Sequence, residues 1–344
     1  MSQRSLRVRY LLQRARRLSL GNVTEFAGQV KKVSRAPLPV IIADMLWSSV
    51  RYEMGFRDYA VWDIRLLNGR ERRTWMTHPK AIRLNNTLNG PDSAALLGDK
   101  PRFYRDFANM IGREWIDAST ATEQELTDFL ARHPRVLVKP ALGEGGRGIT
   151  TFTRDEIPDV AAWRATLVSE NRALVEEILP QHADMARLYP GSVNTLRLIT
   201  FRRDDGSFHL IASVLRIGNG GVVDNFAGGG MFTMVDDDGV AQWAGVDKNS
   251  NVFARHPVTG VDIAGFQVPL FAEALAMVEE ASRRLPTVPY VGWDVAITPD
   301  GPALIEANHN SSVFQMKPSV SGIRTGLLHR YRDAIGPGIL ERRR

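Results

Sequence analysis

The stretch that most restricts how this chain can fold runs from Val136 to Thr150, VLVKPALGEGGRGIT. An apolar, β-branched run delivers Lys139 to a strand end, and Pro140 blocks continuation of that strand. Gly143, Gly145, Gly146 and Gly148 follow within one short loop, and Ile149 and Thr150 resume extended structure. Strand, glycine-rich loop and strand read as a flap of backbone amides with a cation at its base. Such a loop suits polyphosphate, because side chains are absent, N–H groups can converge and a lysine adds a point charge. The same pattern also serves as an ordinary hairpin turn, so the loop by itself leaves both readings open.

The segments around the flap set its context. Trp115 and Ile116 read as a strand, Thr122–Arg132 as a helix with Thr122 and Glu125 as its capping box, Val160–Val168 as a helix and Ala173–Ile178 as a strand. Together they make a small α+β lobe. Upstream, Asp99 is placed to cap a helix that carries Lys100 and Pro101 in its first turn. Residues 1–95 are mostly helical in pattern: Arg4–Leu20 is amphipathic and closed by Pro37 to Pro39, while Leu46–Tyr52 and the series Phe56, Tyr59 and Trp62 read as core positions of short helices. Asn85, Asn86, Asn89 and Gly90 read as a turn-rich loop.

Downstream, Glu176 and Glu177 end a strand ahead of His182, either as solvent-facing acids or as a hinge that meets an adenine edge and ribose hydroxyls. Ser192–Phe201 is a buried strand that carries Asn194 and Arg197, and an arginine in so apolar a run is costly unless partnered, so it is expected to face a cleft or an anion. His209–Ile217 continues the sheet, and Asp224–Met231, with Asn225 and Gly229, forms a second glycine-rich loop. His256 and Thr259 lie in a turn, a setting in which a histidine is usually at the surface, and Phe266–Leu285 fits an amphipathic helix. Tyr290–Ser312 reads as a hairpin in which Asp294, Glu306 and Asn308 converge as an incomplete oxygen shell, of the kind Mg2+ uses when triphosphate fills its other positions.

The ordered set of Lys100, Lys139 with its glycine loop, Glu176–Glu177, Arg197 and Asp294…Glu306-x-Asn308 resembles the ATP-grasp superfamily over residues 96–320. The DKPRFY, SVNTLRLIT, HP-x-TG, DMLWSSVRY and ERRTWMTH stretches resemble its sugar-transfer-associated branch, related to α-L-glutamate ligases. The resemblance implies an α+β ATP-grasp fold, two α+β lobes clamping the nucleotide after a mostly helical N-terminal region. It sets domains at 1–95, 96–178 (lid lobe) and 179–335 (catalytic lobe), with a basic tail at 336–344. It further implies ATP and Mg2+ as cofactors. Lys100, Lys139, Gly143, Gly145, Gly146, Gly148, Glu176, Glu177, Ile178 and His182 would contact nucleotide, and Asp294, Glu306 and Asn308 would hold the metal. Arg197 and Lys139 would serve catalysis, with Arg197 stabilising the transferring phosphoryl group. Asn194, Asn225, Gly229, His256 and Thr259 are the expected substrate contacts. The reaction would be a carboxylate–amine ligation through an acylphosphate, with small-molecule carboxylate and amine substrates. A non-catalytic nucleotide-binding protein and a phosphotransferase are the alternatives.

Composition narrows the rest. The chain of 344 residues has no cysteine, which excludes disulfides, thiolate metal sites and a cysteine nucleophile. The absence of an apolar leader or spanning run sets the expectation of a cytoplasmic enzyme. Net charge is +6, concentrated in Arg4 to Arg35 and Arg342 to Arg344 without interleaved aromatics, so no nucleic acid partner is expected. The basic N-terminus reads as a solvated helix or as a peripheral contact with an anionic membrane or polymer. No Gly-Lys-Ser/Thr loop, kinase motif or dinucleotide fingerprint is present.

Overall fold

The structure, a computed structural model, describes residues 20–142, 148–221, 224, 226–336 and 338–340. Residues 4–19 of the expected helix Arg4–Leu20, three of the loop glycines (Gly143, Gly145, Gly146), Asn225 and the last basic residues lie outside the described residues. The chain divides into two compact units, 1–84 with 312–344, and 85–311.

The first unit is helical: α1 (Leu20–Lys32), α2 (Leu38–Tyr52), α3 (Phe56–Val61), α4 (Gly69–Arg72) and most of α5 (His78–Leu88). In α1 the buried Val23, Ala27 and Val30 recur at helical spacing. Pro37 to Pro39, expected to close a helix, open α2 instead, with Pro37 as its N-cap residue. A first-turn proline is tolerated because its missing N–H has no intrahelical partner there. Leu46, Trp47 and Val50 of α2, expected in the core, are exposed, whereas Tyr59 and Trp62 are buried as expected.

The second unit begins in the last turn of α5. Asn85 and Asn86 are helical rather than a loop. Propensity is overridden by tertiary bonds: Asn85 donates to Asn310 Oδ1 at 2.8 Å, and Asn89 Nδ2 donates to the Tyr290 and His309 carbonyls at 2.8 and 2.6 Å. Then come α6 (Ser93–Gly98), α7 (Lys100–Asp106), β1 (Trp115–Asp117), α8 (Glu123–Arg132), β2 (Arg135–Lys139), β3 (Thr150–Thr153), α9 (Val160–Ser169) and β4 (Leu174–Glu177). Asp99 caps α7 through Arg102 N at 3.0 Å, and Thr122 and Glu125 make the expected capping box on α8. The strands form a four-stranded antiparallel sheet in the order β1-β4-β2-β3, with Leu126, Phe129, Val136, Val138, Leu167 and Val175 in its core.

After α10 (Ala183–Leu188) a larger sheet is built from β5 (Thr195–Arg202), β6 (Phe208–Ile217), β7 (Met231–Val235), β8 (Gly245–Asp247), β9 (Val252–Phe253), β10 (Tyr290–Thr298) and β11 (Gly301–Asn308). Its order is β11-β10-β5-β6-β7-β8-β9, all pairs antiparallel. Helix α11 (Phe271–Arg283), five residues shorter at its start than expected, shares one core with Val291, Trp293, Val295 and Leu198. Those positions alternate along each strand, so the opposite face of the sheet carries Asp294 and Arg197. Two short helices, α12 (Pro318–Ser321) and α13 (Leu328–Ile335), are the last among the described residues.

Grouping by contacts therefore differs from the sequence-based domains. Residues 85–95 join the second unit through the asparagine bonds above. Residues from 312 onward join the first, where Gln315 brackets Met76, accepting from its N–H at 3.3 Å and donating to its carbonyl at 2.7 Å. Among the described residues no helix is long and apolar enough to cross a membrane.

Candidate active site

On the large sheet three strands set one row of charge. Asp294 on β10 lies opposite Glu306 on β11 and opposite Arg197 on β5, and Asn308 lies opposite Gly292. A Cβ on Gly292 would fall 2.3 Å from Ser311 Oγ and 2.7 Å from Ser311 Cβ, so only glycine leaves room for the Ser311 side chain there. Arg197 grips Asp294 with two nitrogens, Nη2 donating to Oδ2 at 2.8 Å, and Arg216 Nη1 donates to the same oxygen at 2.9 Å. Burial alone would raise the Asp294 pKa, but Arg197 and Arg216 hold it well below the usual carboxylate range. Arg216 also pairs with buried Asp224 at 3.2 Å, and Asp224 accepts from Thr195 N–H at 3.0 Å and from the Thr195 hydroxyl.

Two guanidiniums thus face three carboxylates, and the surplus falls on Glu306. Burial first, then the charge of Asp294, raises the Glu306 pKa. The Asn308 amide donates to it at 3.3 Å. Among the described residues no group of three or more His, Asp or Glu side chains gathers as a metal site. An ion at Asp294, Glu306 and Asn308 would rest on two carboxylates and an amide. That hard-oxygen set, with its surplus negative charge, fits Mg2+ completed by phosphate oxygens. Asp294 would then exchange arginine contacts for the ion.

A second cluster forms where the small sheet meets α7. Lys139 Nζ lies 2.6 Å from Glu176 Oε1 and 2.5 Å from the Tyr104 hydroxyl, which donates to the same carboxylate oxygen at 2.8 Å. Arg113 Nε donates to Glu176 Oε2 at 2.8 Å, and its Nη2 donates to the Tyr104 hydroxyl. Burial would raise the Glu176 pKa, but Lys139 and Arg113 bring it down to about 2. Burial, with Arg113, draws the Lys139 ammonium below its ordinary value against the pull of Glu176. Glu176, expected either in solvent or at the base and ribose, is instead buried and spent on Lys139, Arg113 and Tyr104. A carboxylate adjacent to two cations in low dielectric turns inward.

The other expected nucleotide contacts are placed as follows. Glu177 N–H donates to the Glu114 carbonyl at 3.0 Å and its Oε2 accepts from Glu114 N–H at 3.0 Å, while Ile178 is half-buried just beyond. His182 caps α10, its Nδ1 accepting from Asp184 N at 3.2 Å. Lys100 N donates to the Ala141 carbonyl at 3.2 Å, which sets the start of α7 beside the chain leading into the glycine loop. Gly148 has φ +75 and its carbonyl accepts from Arg172 Nε at 3.0 Å, a left-handed position that favours glycine.

Three expected substrate contacts are elsewhere and differently employed. Asn194 is fully buried, its amide nitrogen surrounded by Gln181 Oε1 and the Met185 and Tyr189 carbonyls, and its Oδ1 accepting from Gly218 N at 3.0 Å. His256 is buried, not at the surface: Nε2 lies 2.8 Å from the Gly218 carbonyl, and Nδ1 accepts from the N–H groups of Val258 and Thr259. The Thr259 hydroxyl donates to the Leu188 carbonyl at 2.8 Å. These residues form a closed brace around Gly218, and their polar atoms are used internally. Gly229, with φ +110 and open space where a Cβ would be, remains available in its loop.

Arg216, Asp224, Tyr104 and Arg113 escaped the sequence reading as site residues. Arg216 carried the same signal as Arg197, an arginine in an apolar strand, and Tyr104 lies one helical turn after Lys100. Nothing local marks Arg113.

A family model described as sugar-transfer associated ATP-grasp matches residues 81–330. No curated protein matches the sequence. Similar solved structures include the ATP-grasp ligase PsnB with a phosphomimetic variant of its minimal precursor, Mg and ADP (12% identity, TM-score 0.43, 74% of this chain and 62% of that one). D-alanyl-alanine synthetase A from Vibrio cholerae is another, at 11% identity, TM-score 0.42, and 74% and 68% coverage. A third is N5-carboxyaminoimidazole synthetase from Staphylococcus aureus with ADP, at 9%, 0.41, and 65% and 47%. The chain spans under two thirds of the PsnB chain.

Proposed function

This chain belongs to the sugar-transfer associated ATP-grasp family, and on that premise we propose that it is an ATP- and Mg2+-dependent, ADP-forming carboxylate–amine ligase. The observation that carries the reading is the row of Arg197, Asp294 and Glu306 on adjacent strands, with Asn308 two residues on. When bound at Asp294, Glu306 and Asn308, Mg2+ would neutralise phosphate charge. Lys139, at the base of the glycine loop, holds a point charge for phosphate oxygens once Glu176 shares it. Arg197 and Arg216, released from Asp294, present planar donors to an anion on the same face of the sheet. Phosphoryl transfer needs positioning and charge neutralisation more than a protein nucleophile, so the absence of cysteine is no obstacle. The carboxylate would be activated as an acylphosphate and captured by an amine. Amino acids, sugar acids and peptides are the substrate classes, in polysaccharide or natural-product assembly. The loop around Gly229 keeps a role at substrate.

The test is turnover of Mg-ATP with pooled amino acids and uronic acids, with ADP, AMP and phosphate measured separately. Acceptor-dependent ADP and phosphate, lost in Lys139→Ala and Glu306→Ala, is the expected result. AMP with pyrophosphate would replace acylphosphate chemistry by adenylation. Nucleotide binding without turnover in any pool would favour the non-catalytic reading.

A further inference from the structure

Helix α2 is buried on one side by Ile41, Met45, Ser48 and Ser49 and bare on the other. Along the bare side Val40 (56% exposed), Ala43, Trp47 (59%) and Val50 (41%) follow at intervals of three and four residues, with Leu46 beside them. They form an apolar line about 15 Å long. An exposed tryptophan amid aliphatics on a helix face is a contact surface rather than scattered surface apolarity.

Charge in the stretch of chain that carries this face points to the partner. Between Leu20 and Val61 the bases Lys31, Lys32, Arg35, Arg51 and Arg57 are all exposed. The acids in the same stretch are mostly turned inward. Asp44 is taken by Arg72 at 2.6 Å and by the Tyr59 hydroxyl at 2.6 Å, Glu53 by Arg83 at 2.8 Å, and Asp58 is buried, accepting from Gly55 and His78 N–H groups. Only Glu25 is exposed. An apolar helix face centred on tryptophan and accompanied by unopposed cations has the chemistry of an interfacial helix. We propose that the outer face of α2 docks on an anionic lipid bilayer, with Trp47 at the headgroup level and Lys31, Lys32, Arg35 and Arg51 facing the lipid phosphates. This inference is independent of the ligase reading and needs no nucleotide.

The experiment is co-sedimentation of the full chain with vesicles of equal parts phosphatidylcholine and phosphatidylglycerol, against phosphatidylcholine alone, at low and high salt. The expected result is binding to the anionic vesicles that weakens with salt and falls about tenfold in Trp47→Glu and in Val40→Asp. Both side chains are exposed, so thermal melts of the variants should match the parent. Failure of the parent to bind anionic vesicles would overturn the proposal. So would unchanged binding by both variants, which would assign the contact to another part of the chain. A dimer in sedimentation velocity that Trp47→Glu dissociates, with no vesicle binding, would show the face is covered by a second copy instead.

Discussion

Two buried polar regions of the second unit look alike in sequence and differ in their hydrogen-bond accounting. Around Gly218, Asn194, His256 and Thr259 satisfy one another and the backbone, and no charge is left over. In the row of Arg197, Asp294 and Glu306, carboxylates outnumber guanidiniums and Glu306 is raised by burial and by Asp294. A closed polar network specifies a fold, whereas one with surplus charge is poised for something that arrives from outside.

Substitution separates the two most sharply at Glu306. Glu306→Ala should lower acceptor-dependent ADP release by about 100-fold or more while the Tm stays within a few degrees. A large fall in Tm with turnover intact would make the row structural instead. Asn194→Ala should do the reverse. It strips partners from the Gly218 N–H and two carbonyls, a loss of about 3 kcal/mol or a Tm lower by about 6–12 °C. The kcat/KM of the folded fraction should remain within about twofold of the parent, and selective loss of turnover would return Asn194 to substrate binding.

Glu176 belongs to neither extreme, because its carboxylate is matched by Lys139 and Arg113. Its folded pKa of about 2 lies below the ordinary 4.5, so its contribution to stability is complete above 4.5 and lost as pH falls toward 2. Acid unfolding of the parent should steepen across that window, by roughly 3 kcal/mol, and Glu176→Gln should flatten it. An unchanged acid limb would mean the pair is not formed. The smallest effect is expected at the cap of α7: Asp99→Ala should lower stability by about 1 kcal/mol and raise KM for ATP with kcat unmoved. A change in kcat alone would remove Lys100 from nucleotide placement.

What could be read from the sequence was local or periodic. The Tyr290–Ser312 hairpin, the Thr122–Glu125 capping box, the Asp99 cap and the two strands flanking the glycine loop follow from alternation, turn chemistry and short-range bonds. The ATP-grasp architecture followed from the order of the motifs. The pairing of β10 with β5 was hidden, because the placement of Arg197 opposite Asp294 depends on the order β11-β10-β5. Arg113 was silent, since its partners lie 9, 63 and 191 residues away. His256 was misread because burial came from Gly218, across the fold. Asn85 was misread because its partner is Asn310. The outer face of α2 was misread because apolar periodicity does not say which side has a neighbour.

The backbone around Gly112 carries a mechanical consequence. Gly112 has φ +60, and a Cβ there would sit 2.8 Å from the Ala303 side chain. Met110 accepts from Leu304 N–H at 2.7 Å, and Arg113 Nη1 donates to the Leu304 carbonyl at 2.9 Å. The free edge of β11 is thereby fastened to the root of the small sheet, two residues from Glu306. Lys139, Glu176, Arg113 and Leu304 make an unbroken chain of short bonds, a ruler whose length no loop sets. The connections of this unit can lengthen or shorten over evolution while the spacing between the lysine and the acidic row keeps its gauge.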